Sequence, residues 1–383
     1  MKVLFICMFP IEANNSAMMR NRALVDGLLF NNLEVDFVTI PSSKNAQVVN
    51  KNENLDGINI IKLEGNNLYN TVTSSSENNA IKGMAISFLR KVYHKFMIYD
   101  YTLKIAKQIH ISILTNREYD LIISSSDPKT SHIAALNLMK QGLKYKKWIQ
   151  YWGDPMALDI TNRSIYPNLY LRNTERKLLK NADHIIYVSP LTYEAQKQIF
   201  PELASKMSFV PIPYKEQKMY PEIKKSNKLM IGYFGAYMKI SRNLEPLYNT
   251  CSSLQQDVNL IIMGESDCEF AEKDNIAVFP RGDVSNYEAE AELLVCVLNK
   301  SGTQIPGKIY HYAATNKAIL IILDGENKET IRNYLEPYNR YMFCDNTEEE
   351  INRVINEFIQ QPIKYYPCEA FDSKKIAKKI LSL

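Results

Sequence analysis

Short apolar runs separated by helical patterns recur along the whole chain, and a sequence built this way has few folds open to it. Residues 1–7 are apolar with a single lysine, a polar loop follows at 12–16, residues 17–30 carry a helical pattern, and 34–40 regain strand character. Strand, loop, helix, strand in that order is a βαβ unit, whose strands pair in parallel beneath the crossover helix. Further strands are expected at 57–63, 121–124, 147–151 and 184–188, with helices at 131–140 and 170–181. A second series runs through strands at 229–234, 259–263, 276–279, 293–298 and 318–323.

At 383 residues the chain is too long for one ordinary core and suits two domains. The pattern loosens near Pro211 into a lysine-rich stretch. The reading is therefore an N-terminal domain over 1–212, a linker over 213–228, and a C-terminal domain over 229–365. A short basic amphipathic helix within 366–383 packs either back on the first domain or on the second alone. The Asn- and Ser-rich segment 66–79 reads as a loop. The fold class is α/β, with two Rossmann-like doubly wound domains facing across a cleft and ligands expected at the carboxyl ends of the strands.

Composition excludes several classes. A net charge of +4, from 46 basic and 42 acidic side chains, is too slight for a nucleic-acid binder. The six cysteines form no Cys-X-X-Cys pair and read as reduced core residues of a cytoplasmic protein. No apolar run approaches the roughly 18 residues of a membrane span. No Gly-X-Gly-X-X-Gly follows the first strand, which argues against a dinucleotide-binding dehydrogenase.

Chemistry concentrates in residues 304–322. Pro306, Gly307 and Lys308 place a turn and a lysine at a helix start, and the helix leads into an apolar strand. Backbone N–H groups and a full positive charge aimed at one place suit a phosphate or diphosphate. Gly235, Lys239 and Arg242 follow the first strand of the second series, and Gly264 and Arg281 follow two later strands. In the first series Asn15 and Ser16 lie in the loop after strand one, and Arg20 and Arg22 open the next helix. Asp127 and Lys129 follow one strand and Asp154 another, so the two aspartates occupy equivalent strand ends; they read as orienters of a substrate hydroxyl or as Asx turns before proline.

The run Pro-X-Lys-X-Tyr-X-Tyr at 306–312, with its small residues, lysine and apolar strand, resembles the donor-site helix of GT-B glycosyltransferases. The likeness is to the GT4-like enzymes of bacterial capsule and O-antigen assembly. It implies a nucleoside-diphosphate sugar as donor substrate, a saccharide acceptor carried on a polyprenyl lipid, retention of configuration and no cofactor. It also implies donor contacts from Gly235, Lys239, Arg242, Gly264, Arg281, Pro306, Gly307, Lys308 and His311, with Arg242 and Lys308 stabilising the leaving diphosphate. Acceptor contacts would fall to Asn15, Ser16, Arg20, Asp127, Lys129 and Asp154. No two aspartates stand two residues apart, so the metal-binding Asp-X-Asp pair of GT-A enzymes is absent and no metal is expected. One departure is plain: where many GT4 enzymes carry two glutamates eight positions apart, this chain has Thr303 and His311. A non-catalytic nucleotide-sugar-binding subunit and a sugar-nucleotide epimerase of the same fold therefore stay open. The segment 82–110 mixes apolar and basic residues without an acid until Asp100, the composition either of a helix lying on an anionic membrane face or of a core-facing helix with a solvated basic side.

Overall fold

The computed structural model describes residues 1–42, 55–66, 69–70, 80–160, 162–221 and 227–383, the side chains of 80–86 excepted. Most of the 66–79 segment and part of the 213–228 segment lie outside them. The chain divides into two compact units, one comprising Met1–Lys215 with Ser373–Leu383, the other Glu216–Asp372.

In the first unit, β1 (Lys2–Ile6), β2 (Glu34–Thr39), β3 (Ile58–Lys62), β4 (Glu118–Ser125), β5 (Lys144–Trp152), β6 (His184–Tyr187) and β7 (Met207–Phe209) form one sheet in the order β3-β2-β1-β4-β5-β6-β7. Every pairing is parallel. Both faces of such a sheet are covered by helices, so its central strands read as unbroken apolar runs. Val3, Leu4, Phe5 and Ile6 are accordingly all buried. The helices of this unit are α1 (Ser16–Phe30), α2 (Ala80–Phe96), α3 (Leu103–Gln108), α4 (Thr130–Lys140), α5 (Asn168–Leu179) and α6 (Pro190–Ile199). Asn15 starts α1 by accepting the Met18 N–H on its side chain at 2.8 Å, and Ser189 caps α6 in the same way. The last helix, α12 (Ser373–Leu381), belongs to this unit and lies on α1. Where the sequence suggested one basic helix across 82–110, the chain breaks between α2 and α3, because the Asp100 carboxylate accepts the Thr102 N–H at 2.7 Å and turns the backbone.

The second unit repeats the architecture with β8 (Leu229–Phe234), β9 (Val258–Met263), β10 (Ile276–Phe279), β11 (Leu293–Val297), β12 (Ala318–Leu323) and β13 (Met342–Asp345), ordered β10-β9-β8-β11-β12-β13 and again all parallel. All residues of β11 and β12 are buried. Helices α7 (Glu245–Ser253), α8 (Ser285–Glu290), α9 (Lys308–Tyr312), α10 (Lys328–Leu335) and α11 (Glu348–Gln360) complete it. Thr347 caps α11, and three glutamates fill its first turn where the helix dipole favours them.

In each sheet the strand order reverses once, at β1/β4 in the first unit and at β8/β11 in the second. The loops leaving the carboxyl ends of these strand pairs diverge and leave an open crevice, the usual ligand position in a doubly wound sheet.

Candidate functional site

The second unit's reversal point is flanked by the loop after β8, which carries Gly235, Lys239 and Arg242, and by the segment after β11, which leads to Pro306, Gly307 and Lys308. A chain of hydrogen bonds ties the two together. The Arg242 Nε donates to Asn299 Oδ1 at 2.9 Å, and the Asn299 Nδ2 donates to the Gln304 carbonyl at 3.2 Å. Arg242 also donates to the Ala236 carbonyl at 2.9 Å, and the Lys300 N–H donates to the Ser241 carbonyl at 2.8 Å. A guanidinium held at two edges keeps its remaining donors in a fixed direction.

Lys308 lies with its ammonium 5.5 Å from the Tyr312 ring centroid, in cation–π reach. Burial pushes its pKa below the ordinary lysine value, Glu288 opposes the fall, and Lys218 and Arg281 add to it. A lysine crowded by cations in a partly dry site gains most from an incoming anion. His311, one turn along α9, is driven down to about 3 by burial and then by Lys308 and Lys218, so its ring is neutral at physiological pH. Its Nε2 is buried and has no hydrogen-bond partner. A neutral imidazole with an unsatisfied nitrogen is equipped to meet a hydroxyl.

Three of the expected donor elements carry structural constraints of their own. The helix after the Pro-Gly turn is five residues long, so it lacks the aligned peptides that make a strong macrodipole, and the positive field there comes chiefly from side chains. Gly264 is demanded by the protein itself: a Cβ there would stand 1.9 Å from the Gly235 carbonyl oxygen, so the loops after β8 and β9 could not approach. Lys239 is exposed beside Asp267, whose carboxylate accepts the Lys239 backbone N–H at 2.7 Å, and its carbonyl accepts from the Lys300 Nζ at 3.0 Å. Gly235 differs from Gly264, since the nearest atoms to a Cβ there are 3.8 Å away. Arg281 is exposed after β10 and close enough to lower the Lys308 pKa.

The first unit has its own constellation at its reversal point. A cavity of about 630 Å3 is lined there by Phe9 and Asn15 after β1, Asp127 and Lys129 after β4, and Asp159 beyond β5. Lys129 binds Asp127 at 2.9 Å and Asp159 at 3.1 Å. Burial alone would lower the Lys129 pKa, but Asp127, Asp159 and Asp154 outweigh it and raise the value, so the ammonium is firmly charged. Asp154 belongs to the same cluster without lining the cavity; burial and then Asp127 and Asp159 raise its pKa against Lys129 and Arg20.

Arg20 and Ser16 are placed otherwise than expected. Arg20 is buried, donates to the Ser126 carbonyl, and stacks 5.1 Å from the Tyr151 ring centroid. A Cβ at Gly153 would lie 2.3 Å from its guanidinium. It therefore braces the β4 and β5 ends and does not reach the cavity. Arg22 is buried too and donates to the Ile11 carbonyl at 3.1 Å. Ser16 is exposed at the start of α1, off the cavity wall.

No family model and no curated protein sequence matches the chain. Solved structures do. The chain is similar along 100% of its length to sucrose-phosphate synthase from Thermosynechococcus elongatus, covering 97% of that chain at 14% identity and a TM-score of 0.61. HepE from Anabaena, solved with UDP and glucose, is matched over 100% of this chain and 98% of its own at 12% identity and a TM-score of 0.58. The lipopolysaccharide outer core galactosyltransferase WaaB is matched over 100% and 98%, at 13% and 0.54. The fold is GT-B. Within this GT-B chain the residues that organise the two constellations are ones the sequence does not advertise. Asn299 bridges Arg242 to the Pro-Gly segment, buried Glu288 accepts the Tyr220 hydroxyl at 2.9 Å beside Lys308, and Asp159 completes the Lys129 cluster. A bare asparagine or an acid five positions after Asp154 carries no pattern that could have marked them.

Proposed function

We propose that the protein is a glycosyltransferase, GT4-like and of hexosyltransferase type, that moves a sugar from a nucleoside-diphosphate donor to a saccharide acceptor on a polyprenyl lipid. The setting is capsule, O-antigen or similar polymer assembly at the cytoplasmic face of the membrane. The observation that supports it best is the Arg242–Asn299–Gln304 chain, which fixes a guanidinium beside the segment that carries Lys308 at a sheet reversal point. The donor is assigned to the second unit and the acceptor to the first.

In this reading the bond between the anomeric carbon and the diphosphate oxygen breaks, and negative charge grows on the leaving diphosphate. Arg242 and Lys308 are fixed opposite that charge and favour it most when it is fullest, which is where a barrier is lowered. The charge is met by side chains, so the reaction is assigned as metal-independent, with no cofactor. The acceptor oxygen bonds the anomeric carbon on the face the diphosphate leaves, retaining configuration, and its proton passes to the departing phosphate. Asp127 orients the acceptor hydroxyl from the cavity wall, with Lys129 holding the carboxylate in place. His311 offers its unpartnered nitrogen to a donor hydroxyl.

The Thr303 and His311 departure favours a second reading, a nucleotide-sugar-binding subunit without turnover. Thermal shift against a panel of nucleoside-diphosphate sugars, followed by a turnover assay, separates the two. Arg242→Ala and Lys308→Ala are each expected to lower turnover about tenfold or more with the melting temperature of the apo protein retained. Binding without turnover supports the second reading, and unchanged turnover in both variants removes the diphosphate assignment.

A further inference from the structure

The 630 Å3 cavity of the first unit is lined by acids and cations that are balanced differently. Asp100, Asp127 and Asp159 are its acids, and each already has partners within the protein. Asp127 and Asp159 share Lys129, while Asp100 accepts the Thr102 N–H at 2.7 Å and the Thr130 hydroxyl at 3.2 Å. The other cations are not matched in this way. Arg90, Lys91 and His94 line the cavity from one face of α2, and Arg163 lines it from the segment beyond β5. Lys91 and Arg163 make no hydrogen bond or ion pair with any described residue. Neither 80–99 nor 160–174 contains an aspartate or glutamate, so neither segment supplies a counterion of its own.

Hydrogen bonds hold these two basic segments side by side. The Ile165 N–H donates to the Lys95 carbonyl at 3.0 Å and the Tyr166 hydroxyl to the Phe96 carbonyl at 3.0 Å, which anchors the chain just after Arg163 to the end of α2. Phe9, Met156 and Leu171 make part of the lining apolar, and an ion pair formed beside them is screened less than one in open water. Cations brought together from two segments, without counterions of their own, favour an incoming anion. We infer that the acceptor bound in this cavity is an acidic saccharide, whose carboxylate or phosphoryl substituent meets Arg90, Lys91 and Arg163 while Asp127 orients the receiving hydroxyl. Taken as a sphere, a 630 Å3 cavity is about 11 Å across, so the anion and the hydroxyl belong to one sugar ring or to neighbouring rings. On a longer saccharide the lipid link lies beyond that reach, which puts the charge on the sugar itself. This deepens the proposed function by naming the acceptor class, and it rests on that reading for the transfer step but not for binding.

The test is isothermal titration calorimetry of the full chain with four mimics built on one disaccharide and one short alkyl chain. The first is neutral, the second carries a uronate carboxylate on its terminal ring, the third a phosphoryl group on that ring, and the fourth is neutral but joined to the alkyl chain through a diphosphate. The uronate or the phosphorylated mimic is expected to bind at least about tenfold more tightly than the neutral one, with the advantage shrinking as salt rises, and the tighter of the two names the substituent. The double variant Lys91→Ala, Arg163→Ala is expected to lose most of that advantage while its melting temperature and its thermal shift with nucleoside-diphosphate sugar are retained. Lys144→Ala, exposed at the amino end of β5 and off the cavity wall, should keep the advantage whole. Equal affinity for the neutral and acidic mimics, or binding of none, overturns the inference. So does a preference that survives in the double variant, and so does a gain confined to the diphosphate-linked mimic, which would assign the cations to the lipid link. In a transfer assay, equal turnover on neutral and acidic acceptors would overturn the inference with the transferase reading intact. Charge-selective binding without turnover on any acceptor would leave the acidic-saccharide site standing and remove the transferase reading instead.

Discussion

His132 and His311 have little in common in position, yet each is held neutral by burial. His132 stacks on Trp152 with ring centroids 4.3 Å apart and shares a hydrogen bond with Ser124 at 2.8 Å; burial lowers its pKa to about 3. His311 is lowered to about 3 by burial and neighbouring lysines. Both folded-state values lie below the unfolded one near 6.5, so the fold binds fewer protons than the unfolded chain. The stability this supplies is complete above about pH 6.5 and is lost as pH falls toward 3. In an NMR titration of the five histidines, the His132 and His311 ring signals should stay at neutral-form shifts down to about pH 4.5. A midpoint near 6.5 for His311 would show an open, solvated ring and remove its assignment as a neutral partner for a sugar hydroxyl. The proposed function assigns only His311 to chemistry, although both rings bury an unpartnered Nε2 and no feature of sequence alone separates them.

Element ends, more than elements, carry the proposed site. The loops after β8 and β9 approach so closely that Gly264 has no room for a side chain, whereas Gly235 does. Gly264→Ala is therefore expected to destabilise by about 1–3 kcal/mol through forced loop separation. Gly235→Ala should leave the melting temperature nearly unchanged while weakening nucleotide-sugar binding, because its methyl would occupy the mouth beside Arg242. Calorimetry and thermal shift on the two variants check the contrast, and equal stability losses would refute it. The same distinction explains what could be read in advance. The βαβ alternation and the apolar strands β1, β8, β11 and β12 were legible because buried parallel strands are unbroken hydrophobic runs. β7 and β13 were not anticipated: β7 has three residues, too short for a period to register, and β13 reads Met-Phe-Cys-Asp, without the β-branched residues that marked the equally short β10. The basic loops at 235–242 and 306–308 were visible as residue types at strand ends. Asn299, Glu288 and Asp159 were not, because their importance is a matter of which distant residue they touch.

At the scale of the whole molecule, the chain crosses from the first unit to the second at Lys215 and returns at Ser373, so the first unit is finished only when the last residues are in place. The closing contact is tight. A Cβ at Gly27 on α1 would lie 2.1 Å from the Ser373 carbonyl oxygen, and the Asn31 side chain donates to the Lys374 carbonyl at 3.0 Å. Ile376, Ala377 and Ile380 on α12 are buried, while Lys374, Lys375, Lys378 and Lys379 leave the opposite face polar. Burial of the two isoleucines alone contributes on the order of 4 kcal/mol. That is a large share of the stability of an ordinary domain. A chain ending at Asp372 should therefore show two separated calorimetric transitions, the first unit's lowered by several degrees and the second unit's where it stands in the full chain. Donor binding, assigned to the second unit, should survive the truncation at temperatures below the lowered transition, and transfer should fail once the first unit melts. A second-unit transition that drops together with the first would mean that the returning helix stabilises more than the unit it packs in, and donor binding lost below the first transition would place part of the donor site outside residues 216–372.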